Sequence, residues 1–142
     1  IGLHPAARFI GTMNYGYAGT KELNEALVSR FLVIDMPPQT ADTLEFIIRT
    51  SYPTAKPEAV EQFAGLFLDL QLKADNSEIS TKALDLRGLL AAMGTIRTGL
   101  RPLQAVRMGV TNKTFDVFEK EIVDDVVVTR IPESWTRENV YG

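Results

Sequence analysis

The chain contains no cysteine, which excludes a disulfide framework, a thiolate nucleophile and a Cys-ligated zinc, and fits a protein of the reduced cytoplasm. It contains one histidine, His4. His4 stands beside Pro5 with no second histidine or acidic cluster nearby, so it reads as a surface residue, and no Ser-His-Asp arrangement can be named around it. No window approaches the ~20 apolar residues of a membrane span. The start, Ile1-Gly2-Leu3-His4-Pro5, has neither an initiator Met nor a leader pattern and reads as part of something larger. Basic charge is not in excess: 15 Lys and Arg face 18 Asp and Glu, for a net charge of −3. A pI near 5.2 argues against a surface that tracks phosphates along nucleic acid. Also missing is the phosphate cradle G-x-x-x-x-G-K-[ST]. Gly11 and Gly16 have the glycine spacing but continue into Tyr17-Ala18, and Gly19-Thr20-Lys21 has no upstream glycine in register. At 142 residues the chain holds one ordinary core, or a small core plus a piece of another.

The densest stretch is Arg8 to Arg30. Phe9 to Met13 is an apolar run that reads as a buried strand, halted at Asn14 by the turn signal Tyr15-Gly16. Open α/β sheets place ligands at such strand ends. The Asn14 amide can donate and accept, as orienting a water for phosphoryl transfer requires, although a plain turn asparagine also fits the spacing. Thr20 can cap a helix carrying Leu23, Ala26 and Leu27 on one face. Arg30 lies just past its end, where the helix dipole favours a cation by ~0.3–1 kcal/mol without any ligand. A second run, Phe31 to Met36, reads as a strand stopped by Pro37-Pro38. Asp35 imitates the end of a magnesium-binding strand, but Met36 stands where the catalytic Glu would follow, so Asp35 reads as a strand-end polar residue.

From Thr40 onward the pattern is helical. Thr40 caps a helix with the stripe Leu44, Ile47 and Ile48, ending near Tyr52-Pro53. Pro57-Glu58 opens a second, with Val60, Phe63, Ala64, Phe67 and Leu70 at spacings of three and four. After the polar connection Lys73 to Ser80, a third carries Leu86, Leu89, Leu90, Met93 and Ile96 and stops at Gly99. Pro102 starts a fourth with Leu103, Val106 and Val110. Phe115, Phe118, Ile122 and Val126 suggest a fifth, with Val126-Val127-Val128 open to a strand reading. Pro132 to Gly142 is polar and without period, and Trp135 in it reads as a local anchor. If Asp85 caps the third helix, Arg87 falls in its first turn, where a cation opposes the dipole unless an anion is bound.

Thr12-Met13-Asn14, Gly19-Thr20, Glu22 to Leu27 and Ser29-Arg30-Phe31, in this order and spacing, resemble the second half of an AAA+ ATPase core. The likeness is to the MoxR branch, which includes the NorQ and CbbQ types. The resemblance implies that Asn14 is the sensor-1 residue and Arg30 the arginine finger, serving the neighbouring subunit's site. It implies a sensor-2 cation at the start of a lid helix, placed at Arg87, with Lys82 of Ser80-Thr81-Lys82 as the rival. CbbQ-like sequences have Ser-Thr-Arg where this chain has Asp85-Leu86-Arg87. The implied architecture is mainly α. Residues 1–38 are a remnant of the α/β core (two strands and a helix), 39–131 a helical lid bundle and 132–142 a tail.

The resemblance further implies ATP and Mg2+, bound mainly by residues outside this chain, and a hexameric ring of identical subunits. Hydrolysis would remodel or activate a client protein, often a metalloenzyme, with a von Willebrand factor A domain protein as partner. No metal ligand, nucleic acid or membrane enters for the chain itself, and alone it is expected to be inactive. The competing reading is a non-enzymatic helical interaction module in which Arg30 and Arg87 are ordinary surface cations.

Overall fold

The computed structural model describes residues 2, 4–12 and 25–142. The chain divides into two units, Ile1–Met36 and Pro37–Gly142. Among the described residues it is mainly α-helical and has no strand, and no helix is long and apolar enough to cross a membrane.

In the first unit the described helix is α1, Glu25–Val28. The apolar residues around it face solvent: Ile10 is 93% exposed and Leu32 98%. The two expected strands, Phe9 to Met13 and Phe31 to Met36, are not strands over their described residues. A strand is defined by its partner, and no other described segment supplies a ladder for either run. Apolar composition signals the wish to be buried, and burial needs a second surface.

The second unit is a helical bundle. Helix α2 (Ala41–Ser51) starts where expected: the Thr40 side chain accepts the Thr43 N–H at 3.3 Å. Its stripe buries Leu44 and Ile48. Helix α3 (Pro57–Asp75) opens on Pro57, whose missing N–H costs nothing in the first turn. It is the central element, packing on α2 and α6 and burying Val60, Phe63, Ala64, Leu66, Phe67 and Leu70. Helix α4 (Leu86–Arg97) buries Leu89, Met93 and Ile96 and ends before Gly99, whose φ of +112° suits glycine. Helix α5 (Pro102–Gly109) packs against α4, and α6 (Val117–Arg130) returns across α3. Val126-Val127-Val128 therefore belongs to a helix; Val127 is buried beside Val123, which a helical pitch allows.

Two further expectations need correction. Phe115 and Phe118, read as part of the buried face of the fifth helix, are 90% and 78% exposed. The inward face of α6 is Val123 and Val127, with Ile122 and Val126 half-buried. The expected polar tail also belongs to the bundle. A short helix, α7 (Arg137–Val140), delivers Val140 and Tyr141 to the core. The Tyr141 hydroxyl donates to the Met93 carbonyl at 2.8 Å, and its ring meets Tyr52 edge-on at 6.3 Å. Lys56 N–H donates to the Val140 carbonyl at 2.8 Å beside an isolated antiparallel bridge between Ala55 and Tyr141. Two inward residues behind polar Arg137, Glu138 and Asn139 form no period, which is why the pattern was silent.

Candidate functional site

The N-terminal turn of α4 is the most constructed polar feature of the bundle. The Asp85 carboxylate caps the helix: one oxygen accepts the Gly88 N–H at 2.8 Å, and the other meets the Lys113 ammonium. Lys113 closes a 3-10 turn, Thr111–Lys113, that follows α5. Burial pushes the Asp85 carboxyl up, but Lys113 and the Gly88 N–H outweigh it and hold the pKa below the ordinary 3.8. Beneath this cap, α4 and α5 cross backbone to backbone. A Cβ on Gly88 would lie 2.1 Å from the Gly109 carbonyl oxygen, and one on Gly109 2.4 Å from that of Gly88. Only glycine at both positions permits the approach. The turn is thus fixed by a cap, an ion pair and a two-glycine contact.

Arg87 is the second residue of α4, one position before Gly88. It is exposed, and among the described residues its side chain makes no ion pair or hydrogen bond. Asp85, the carboxylate nearest in sequence that could have neutralised it, is taken by Lys113. The first-turn position therefore leaves a guanidinium against the positive end of the dipole with no described counter-charge. Lys82, the rival cation, lies in the 3-10 turn Thr81–Ala83 and is also exposed. The two stand five residues apart in sequence, Arg87 on a capped helix and Lys82 on a single turn.

Arg30 follows α1, where the Phe31 N–H donates to the Val28 carbonyl at 3.1 Å, and its side chain is exposed. It belongs to the first unit and Arg87 to the second. Asn14, Gly19 and Thr20 lie outside the described residues. His4 is exposed, its Nδ1 accepting the Ala6 N–H at 3.1 Å. Among the described residues no cluster of three metal-ligating side chains occurs. Sequence reasoning missed Lys113, Gly88 and Gly109. Two glycines at helical positions that propensity disfavours were the available signal, since such residues mark close packing.

The chain is 30% identical over 120 residues to the uncharacterized protein YojN of Bacillus subtilis, covering 84% of this chain and 39% of that protein. It is 28% identical over 123 residues to an uncharacterized protein of Staphylococcus aureus (strain NCTC 8325), covering 87% of this chain and 46% of that one. The chain thus spans less than half the length of these curated relatives. No protein-family model matches it, and no solved structure matches it significantly.

Proposed function

We propose that this chain is the C-terminal half of a MoxR-type AAA+ ATPase, in which Arg87 is the sensor-2 cation on the γ-phosphate side of bound ATP. The observation that carries the reading is the guanidinium of Arg87 in the first turn of a capped helix, exposed and without a described counter-charge. The first-turn N–H groups of Arg87 and Gly88 are taken by Asp85, so it is the exposed guanidinium, a charge-assisted donor, that suits a phosphate. The motif order from Thr12 to Phe31 supports the same reading, with Asn14 orienting the attacking water and Arg30 acting as finger on the neighbouring subunit's nucleotide. The match covers only 39% and 46% of the two longer relatives, which leaves room there for the P-loop and the magnesium carboxylate. ATP with Mg2+, a hexameric ring, and a client that is remodelled, with a von Willebrand factor A domain protein as partner, complete the proposal, which places the protein in the cytoplasm.

In this mechanism Arg87 binds phosphate and reports its loss to the bundle, while Arg30 stabilises charge that develops only in the transition state. Titration of the full-length protein with a labelled ATP analogue tests the assignment. Arg87→Ala should weaken binding about tenfold, the value of one charge-assisted contact of ~1.4 kcal/mol, with Lys82→Ala changing it less than twofold. The opposite ranking would move the role to Lys82, and no effect of either would remove the site. Arg30→Ala should lower turnover about 10³-fold or more, as finger residues do elsewhere, while leaving affinity nearly intact. Mixing Arg30→Ala subunits with subunits defective only in the P-loop should restore activity; failure to complement would end the trans role.

A further inference from the structure

A groove of about 370 Å³ runs between α3 and α6, lined by Asp69, Leu72, Lys73, Glu78, Ile122, Asp125, Val126 and Thr129. Its floor is apolar. Ile122 and Val126 are one turn apart on α6, and Phe118, 78% exposed, stands one turn before Ile122 on the same side of the helix. Leu72, on the α3 wall, is 60% exposed. From Phe118 to Thr129 the stripe extends roughly 16 Å, about three helical turns. Half-buried Ile122 and Val126 with exposed Phe118 and Leu72 make an apolar strip rimmed by polar residues, the kind of patch that marks an interaction site.

The walls carry a net negative charge. Three carboxylates, Asp69, Glu78 and Asp125, face one ammonium, Lys73. Lys73 is held by Glu78 at 2.7 Å. Arg130 neutralises Asp69 at 2.6 Å, and its guanidinium lies over Gly65, farther back along α3. Asp125 is exposed and has no ion pair among the described residues. One turn earlier on α6, Glu121 is exposed as well. The groove is thus an apolar channel with an unspent negative edge.

We infer that the α3–α6 groove docks an amphipathic helix of a partner protein, about three turns long, with an apolar stripe flanked by Lys or Arg. Charge decides the sign of the partner, and the linear apolar floor decides its shape, the helix-in-groove mode. Two such grooves face to face would oppose Asp125 and Glu121 to like charges, which disfavours a symmetric pairing of two copies through this face. The inference is independent of the nucleotide reading.

The test is fluorescence anisotropy with the 142-residue chain and two labelled helical peptides of equal length, one of leucine and lysine and the other of leucine and glutamate. The lysine peptide should bind, and the glutamate peptide at least tenfold more weakly. Asp125→Lys and Leu72→Asp should each weaken the lysine peptide about tenfold. Glu45→Lys, on α2 and outside the groove, should change it less than twofold. Both groove positions are exposed, so circular dichroism of the variants should match the parent. Binding that is equal in all three variants, or equal for both peptides, overturns the inference. So does a chain that binds neither peptide, and so does a dimer abolished by Asp125→Lys, which would make the occupant a second copy.

Discussion

The two units use the same kinds of residue to opposite effect. In Pro37–Gly142, Phe63, Leu44 and Met93 are fully buried, whereas in Ile1–Met36 the apolar residues Ile10 and Leu32 are almost wholly exposed. Composition does not separate Phe31-Leu32-Val33-Ile34 from Leu66-Phe67-Leu68; partnership does. Each helix of the bundle finds another helix for its stripe, so apolar area leaves water on both sides of every contact. The first unit's runs lack such a face among the described residues. If the proposed reading holds, that face belongs to the nucleotide-binding half.

The largest effect should separate the units outright. Phe63→Ala opens a cavity at the centre of α3 and should cost ~3–5 kcal/mol. Leu32→Ala should move the same urea unfolding transition by less than about 0.5 kcal/mol, as exposed substitutions do. Hydrogen exchange sharpens the point. The amides of Leu32 to Met36 make no backbone hydrogen bond among the described residues and should exchange quickly, against strong protection at Leu66 and Phe67. Strong protection across residues 32–36 in a monomer would show that the run is paired and that the contrast is false.

Glycine offers a second way to press the comparison. An added Cβ at Gly11 meets nothing within 4 Å, but at Gly88 it meets the Gly109 carbonyl at 2.1 Å. Gly11→Ala should be neutral. Gly88→Ala must force α4 from α5 and should cost ~1–3 kcal/mol. In the full-length protein the same change should disturb Arg87. An unchanged melting temperature for Gly88→Ala would mean that the crossing is looser than its geometry.

How much of this was legible in the sequence divides along the same line. Thr40, Pro57, Asp85 and Pro102 announced the starts of α2 to α5, because caps and first-turn prolines act through local hydrogen bonds that neighbours in sequence decide. Arg87 followed from Asp85 by counting. What could not be read depends on residues far apart in sequence. Lys113 reaching Asp85, Gly109 meeting Gly88, and Tyr141 donating to Met93 leave no period. The strands of the first unit failed for the same reason, since a ladder is a relation between segments. Phe115 and Phe118 misled because apolarity was equated with burial, and on α6 the inward face is made by valines instead.

Tyr141 supplies the third contrast, since its hydroxyl is buried with one acceptor. Burial, then the neighbouring Tyr52, pushes its pKa up to about 12 from 10.0. The folded pKa is raised, so this contribution to stability is complete below pH 10 and is lost as pH rises through 12. Tyr141→Phe should cost about 1 kcal/mol at neutral pH through the lost bond to Met93 and should flatten the fall in stability on the alkaline side. An unchanged alkaline slope would mean that Tyr141 ionises as freely as an exposed tyrosine.

The smallest effect concerns the ion pair that ties α5 to α6. Arg107 donates twice to the Asp124 carboxylate, at 2.8 and 2.7 Å. In the first unit, by contrast, Arg8 donates among the described residues to nearby carbonyls, at 2.8 Å to Ala7 and 3.3 Å to Pro5. The Arg107 hydrogen bonds hold the Asp124 pKa below 3.8 in spite of partial burial. A depressed folded pKa contributes stability above the unfolded value and loses it as pH falls through the folded one, so the window opens just under pH 4 and extends downward. Asp124→Asn should cost about 1 kcal/mol or less at neutral pH, as half-exposed pairs do, and that difference should shrink steadily as the pH is lowered from 4 to 2. Arg8→Ala should leave both limbs of the profile unchanged. A difference between Asp124→Asn and the parent that stays constant down to pH 2 would show that Asp124 contributes through packing rather than through its charge.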